Sequence, residues 1–269
     1  MVKEEPAGSL NRAVVILKTL ASTGESGMAL THISQRCGLP HSSVHRVLQQ
    51  LRAAQLVCQT APDGRYALGP LAFELGVAAA QQFDIRGRSR EAVTSLANEM
   101  GDTAYLFLRS GSEAVCLDRV FGPAPVRVVT LRIGSRRPLG LGAGGLAILA
   151  FLNETQREAA INDVAPILAA ERGIDEAELR QMVADSRERG YAYIEGQLTP
   201  DVYAVGKPIL NSFKQPIGGL SIAAPAARMP PARIPKVAQA LESAASRIEL
   251  SLFSAEAALA THTSVATAD

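Results

Sequence analysis

Between positions 41 and 49 the chain carries His41, Ser42, Ser43, His45, Arg46 and Gln49, which on a helix form the polar face opposite Val44, Val47, Leu48 and Leu51. These side chains suit the reading of nucleic acid. An arginine bonds guanine O6 and N7 or a phosphate, and a glutamine matches the adenine edge. Arg46 and Gln49 are the candidates for such contacts, and the sequence does not choose between bases and phosphates. Between Leu30 and Pro70 four arginines (36, 46, 52 and 65) face one acid, Asp63, and three of the four histidines (32, 41 and 45) lie there too. This is a local positive surface of the kind phosphate binding requires. The whole chain, with 27 Lys+Arg against 26 Asp+Glu and a formal charge of +1, is no histone-like polycation. The plainer reading is a helical hairpin with a solvated polar face. Arg65, just after a Pro-Asp-Gly turn, has a role beside the minor groove on the first reading. Arg12 is a further candidate, although a lone Arg at the start of a helix is most often a surface residue.

Signals of catalysis are weak. Gly140-Leu141-Gly142-Ala143-Gly144-Gly145 satisfies GxGxxG, but a polar loop, Gly134–Pro138, precedes it where a dinucleotide fingerprint needs a buried strand. Asp163, the acid at about the right distance, lies between helical stretches. The small residues instead let a helix start close to a sheet, beside a ligand that approaches its backbone. Arg127, Arg132, Arg136 and Arg137 fit an anion or, more commonly for such a run, a solvated strand edge or subunit contact. GxSxG, HExxH and Walker A patterns are absent, and His262 is the one histidine outside the N-terminal region, so a His-containing triad is not expected. Cys37, Cys58 and Cys116 have neither disulfide-framework nor zinc spacing. No cofactor or metal is expected, and the chain reads as a non-enzyme. An enzyme acting on a small carboxylate through the C-terminal part is the alternative, and it lacks an evident nucleophile or base. A protein-binding module built on the N-terminal part is a third.

The elements that would position these residues follow from periodicity. Ser9 is the expected N-cap of a first helix carrying Ile16, Leu17 and Leu20. Leu30, Ile33 and Cys37 form a second helix ending at Gly38, and Pro40 opens a third. Two short β-like runs around Ala61-Pro62-Asp63-Gly64 make a hairpin. Helix, helix–turn–helix, hairpin is the order of a winged helix, expected over 8–70. A linker helix, interrupted near Phe83-Asp84, is expected over 71–84, and an α+β sensor-like domain over 85–254. In it Ser89–Met100 is helical, and strands are expected at 103–108, 114–117, 126–131, 202–209 and 217–223. Helices are expected around Glu154–Ile161, Asp175–Arg189 and from Ile234 to Phe253, with a fraying tail over 255–269. The apolar run Leu139–Leu152 falls short of the ~20 residues of a membrane helix, and the polar N-terminus is unlike a signal peptide. A cytoplasmic protein with no membrane partner is expected.

Taken together, the chain resembles the IclR family of transcriptional regulators from about Ser9 to Ala255. The likeness rests on Ser9-Leu10-Asn11-Arg12-Ala13, on Gly38-Leu39-Pro40 with Ser43-Val44-His45-Arg46, and on Tyr66-Ala67-Leu68-Gly69. In the second half it rests on Pro138-Leu139, Gly145–Ala150, Arg189-Gly190-Tyr191-Ala192 and Gly206-Lys207-Pro208-Ile209. The resemblance implies a winged helix-turn-helix, a linker helix and a GAF-like α/β effector-binding domain. It implies binding of double-stranded DNA at palindromic operators by a homodimer or homotetramer, and a small-molecule carboxylate effector. Carried over by position, the family's pocket falls on Val126, Val129, Ala143, Gly144, Ile194, Val202, Ala204, Ser221 and Ala223. Members that bind small oxo-acids carry a polar or acidic group where this chain has Ile194, and a thiol or hydroxyl where it has Ala204. The pocket is therefore more apolar here, with Ser221 its clearest hydrogen-bonding side chain, and a larger or aromatic carboxylate is expected.

Overall fold

A computed structural model describes residues 8–23, 26–60, 63–80 and 84–265, with side chains omitted at 80 and 253–265. Ala61-Pro62 of the expected hairpin turn, Phe83 of the expected linker break and the last four residues lie outside the described residues. Contacts divide the chain into two units, Met1–Asp84 with Arg132–Ser135, and Ile85–Leu131 with Arg136–Asp269.

The first unit contains α1 (Ser9–Ala21), α2 (Leu30–Cys37), α3 (His41–Ala53), β1 (Val57–Thr60), β2 (Arg65–Leu68) and α4 (Pro70–Ala80). Gly8, not Ser9, caps α1, so Ser9 is its first helical residue. α2 ends on Gly38 in the left-handed region at φ 64°, which a glycine adopts without a Cβ clash. Pro40 stands at the N-cap of α3, where its missing N–H costs no helical hydrogen bond. β1 and β2 pair antiparallel from Val57↔Leu68 to Thr60↔Arg65, and Met28 bridges to Tyr66. Ile16, Leu20, Ile33, Val44, Leu48, Leu51, Val57 and Tyr66 close over one another as the core. Each such fully buried aliphatic side chain is worth about 1.5–3 kcal/mol of burial. That apolar face fixes which side of α3 remains outside.

The second unit opens with α5 (Ile85–Met100), then β3 (Thr103–Ser110), β4 (Glu113–Val120) and β5 (Arg136–Pro138). Next come α6 (Ala143–Phe151), α7 (Glu154–Arg172), α8 (Glu176–Arg189), β6 (Ala192–Glu195), β7 (Val202–Leu210), β8 (Pro216–Pro225) and α9 (Ile234–Val265). The strands form one sheet in the order β5-β4-β3-β8-β7-β6, every neighbouring pair antiparallel. Strand alternation sends Ala104, Leu106, Leu220 and Ile222 to the face covered by α5 and α9. Tyr105, Phe107 and Ala223 go to the opposite face, covered by α6, α7 and α8. Asp102, its side chain fully buried, holds the start of β3 to the segment before α9 through Arg228 Nε (2.8 Å) and Arg233 Nη2 (2.7 Å).

Several expectations are corrected. Val126–Leu131 is not a strand. Its backbone groups bond to side chains instead: Val128 N–H donates to Thr103 Oγ1, and Tyr105 Oη donates to Val128 O and accepts from Thr130 N–H. With Pro123 and Pro125 ahead of it, the run lies as irregular chain tied to β3. β5 occupies part of the expected polar loop, and β6 was not foreseen as a strand. α7 continues beyond Ile161 through Pro166, and α9 continues beyond Phe253.

Candidate functional site

On the first unit, the polar face of α3 is open. His41, Ser42, His45, Arg46 and Gln49 are exposed and Ser43 is half-buried. His45 and Gln49, one turn apart, lie within hydrogen-bond distance at 3.3 Å. A cleft of ≈ 360 Å³ is lined by Gly8, Ser9 and Arg12 of the α1 start and by Ser43, Arg46, Val47 and Gln50 of α3. It brings Arg12 beside Arg46 and Ser43. Gln50 joins them unforeseen, although its place one turn beyond Arg46 is a signal the sequence carried. Arg65 stands apart on β2, half-buried, with Nη1 3.4 Å from Ser26 O. The hairpin is tied to α3 by Arg52 Nη1 donating to Gln59 Oε1 (3.0 Å), while Gln59 Nε2 donates to Gly64 O (2.8 Å).

On the second unit, α6 begins hard against the sheet. A Cβ at Gly206 would lie 2.2 Å from Ala143 O, and one at Gly144 would lie 2.4 Å from the Phe107 ring. Between this helix start and the sheet is a cavity of ≈ 30 Å³. Ala143, Gly144, Ile194, Val202, Ala204, Ser221 and Ala223 line it, as do Tyr105, Phe107, Ala114, Thr130, Leu131, Arg137, Leu141, Gly142 and Leu198. Strand register makes part of this lining one stripe, Ile194↔Ala204↔Ala223, with Tyr105↔Ser221 beside it. Val126 and Val129 are not in the lining. Each is 57% exposed, because the irregular chain there turns Val128 inward instead.

The first turn of α6 presents N–H groups that have no intrahelical carbonyl to meet. Just before it, Gly142 N–H donates to Gln197 Oε1 at 2.7 Å, a side-chain amide from the 196–201 segment. Arg137 is the one charged residue of the lining among the described residues, and sequence reasoning did not single it out within its basic run. On β5 it pairs with Ala114, and so shares the cavity-facing side of the sheet. Its neighbour Arg136 pairs with Glu113 (3.0 Å) and Ser110. Arg119 and Arg127 stack over Phe121, at 4.8 and 5.1 Å from the ring centroid. Burial, then the charge of Arg172, pulls the Arg137 guanidinium pKa below its usual value. Burial also pushes the Cys116 thiol up to about 12, the behaviour of a packed core residue. No group of His, Cys, Asp and Glu among the described residues is arranged to hold a metal ion, and no helix among them is long and apolar enough to cross a membrane.

A winged helix with an exposed basic recognition face, joined in one chain to an α/β unit, defines a DNA-binding transcriptional regulator. The model of the IclR helix-turn-helix domain matches residues 9–61, and that of the bacterial transcriptional regulator IclR C-terminal domain matches 77–250. The HTH-type transcriptional regulator KipR of Bacillus subtilis is 30% identical over 243 residues, covering 88% of this chain and 96% of its own. The chain belongs to the IclR family of transcriptional regulators. Among solved structures, an IclR transcriptional regulator from Silicibacter sp. TM1040 superposes with a TM-score of 0.77 at 23% identity, covering 90% of this chain and 95% of its own. An IclR homolog from Microbacterium hydrocarbonoxydans, complexed with 4-hydroxybenzoate, superposes with a TM-score of 0.70 at 22% identity, covering 92% and 100%. At these identities the two structures speak for the fold.

Proposed function

We propose that this regulator is ligand-responsive: it binds a palindromic operator as a homodimer or homotetramer, and its engagement with DNA changes when a carboxylate with an aromatic or otherwise sizeable body enters the C-terminal cavity. Its DNA partner puts this work in the cytoplasm. The observation that carries the reading is the start of α6, whose free N–H groups meet a cavity walled by Ile194, Val202, Ala204 and Ala223. Such N–H groups with the positive end of the helix dipole favour a carboxylate. Ala143, Gly144 and Ser221 are the polar contacts assigned to it. That the Microbacterium homolog holds 4-hydroxybenzoate agrees with an aromatic acid, although the choice here rests on the lining.

The cavity of ≈ 30 Å³ holds a water or two, whereas an apolar ring needs on the order of 150 Å³. Effector entry therefore requires the lining to give, and we assign that movement to the 196–201 segment, which supplies Leu198 and holds Gly142 through Gln197. The Gln197 carboxamide on Gly142 N–H then gives way to the carboxylate. A ligand that binds the open form better shifts the population by its difference in affinity for the two forms, and that difference is the signal passed to DNA.

On the operator, α3 enters the major groove with His41, Ser42, Ser43, His45, Arg46 and Gln49, while Arg65 meets the minor groove beside the hairpin. Arg12, in the cleft with Arg46, takes a phosphate. A second copy covers the exposed apolar side chains Leu10 and Val14 of α1 and Phe73, Leu75 and Val77 of α4, which stand in water otherwise. Arg46→Ala tests the DNA assignment in a gel-shift titration. The expected result is a loss of about 1–3 kcal/mol in operator affinity with the dimer intact by light scattering. Operator affinity equal to that of the wild type would remove α3 from the interface.

A further inference from the structure

We propose that Arg137 supplies the counter-charge for the effector, so that the cavity takes a monoanion whose carboxylate meets the Arg137 guanidinium and whose body is apolar and ring-sized. The inference rests on the reading of the cavity as an effector site and adds a residue outside the positions carried over from the family.

The guanidinium is incompletely satisfied. Nη2 donates to Thr130 O at 2.9 Å, but Nη1 is buried without any hydrogen-bond partner. A buried polar atom left unpaired is rare and costly, the more so on a charged group. Arg136, one residue earlier on the same strand, pairs with Glu113, whereas Arg137 turns to the cavity side. Among the described residues the cavity lining contains no Asp or Glu, and none of their ion pairs involves Arg137. The other charge facing the space is the positive end of the α6 dipole. Two positive ends with no anion between them select an anion. A single guanidinium in an otherwise uncharged wall selects one carboxylate, not two. Tyr105 and Phe107, stacked with centroids 6.0 Å apart and planes at 21°, offer the flat apolar surface for a ring.

The test is isothermal titration of the full chain and of Arg137→Met and Arg137→Lys with benzoate, phenylacetate and the neutral isostere benzamide. The wild type is expected to prefer benzoate over benzamide. In Arg137→Met the benzoate affinity should fall on the order of 30-fold, as loss of a charge-assisted hydrogen bond implies, while benzamide is unaffected and the preference disappears. Arg137→Lys should recover part of the preference, since it keeps the charge and loses the fork. The melting temperature of unliganded Arg137→Met should fall by no more than a few degrees, which is what loss of the single Nη2 hydrogen bond to Thr130 O implies, because Nη1 holds nothing in the unliganded protein. Benzoate binding unchanged in Arg137→Met overturns the role of Arg137 and leaves the effector cavity standing. A wild type that binds neither acid, or binds benzamide equally well, overturns the carboxylate reading of the cavity itself. Should Arg137→Met not fold, the lysine variant and the wild-type preference decide the matter.

Discussion

A methyl group added at Gly206 would sit 2.2 Å from the Ala143 carbonyl oxygen, a backbone atom with no rotamer to retreat into. Gly206→Ala therefore pushes the start of α6 off the sheet. Overpacking of this kind costs about 1–3 kcal/mol, and a lowered urea midpoint at unchanged slope would show it. A variant as stable as the wild type would mean that α6 is not held where the cavity needs it. This contact was half legible in the sequence. The Gly140–Gly145 run announced a helix start close to a sheet, but nothing local said that Gly206, sixty-odd positions later, faced it. Arg137 was illegible for a related reason. Beside Arg136 in a polar run it has the same local signature, and only the pairing of β5 with β4 sends one guanidinium to Glu113 and the other to the cavity.

Elements with strong periodicity were the readable part of the fold. α1, α2 and α3 carry apolar stripes that become one core, and the α3 polar face follows from what that core leaves outside. Val126–Leu131 failed because β-propensity reports apolar, branched side chains and not a ladder partner; here the Tyr105 and Thr103 hydroxyls took the ladder's place. The two valines assigned to the pocket went outward with it. Long-range ion pairs were equally hidden. Asp102 binds Arg228 and Arg233 across more than half the second unit's sequence, and those arginines showed no pattern. Asp102→Ala should lower stability by ~3 kcal/mol, the low end for breaking a buried pair because both guanidiniums reach solvent. Thermal or urea unfolding would measure it, and a loss within 0.5 kcal/mol, about what a neutral surface change gives, would mean that the clamp does not hold the start of β3.

For the molecule as a whole, near-neutral charge hid a local grouping: an exposed α3 face carrying Arg46 on one unit and a cavity lined by Arg137 in the other. The overall order of elements and the regulator class were legible from motif order alone, since each short motif is weak but their succession is restrictive. Motif order says nothing of an effector's size and charge, because these depend on which side chains the sheet register gathers. On the proposed reading, this regulator's grip on DNA answers to an aromatic monocarboxylate. The most direct measurement is a gel-shift titration on the gene's own upstream DNA at two salt concentrations, with and without benzoate, phenylacetate and aliphatic acids. The prediction is tight binding that weakens with salt as phosphate contacts release counter-ions, and that one aromatic acid alters. Tight binding indifferent to every acid would contradict the account of the cavity, and no binding even at low salt would contradict the account of the recognition face.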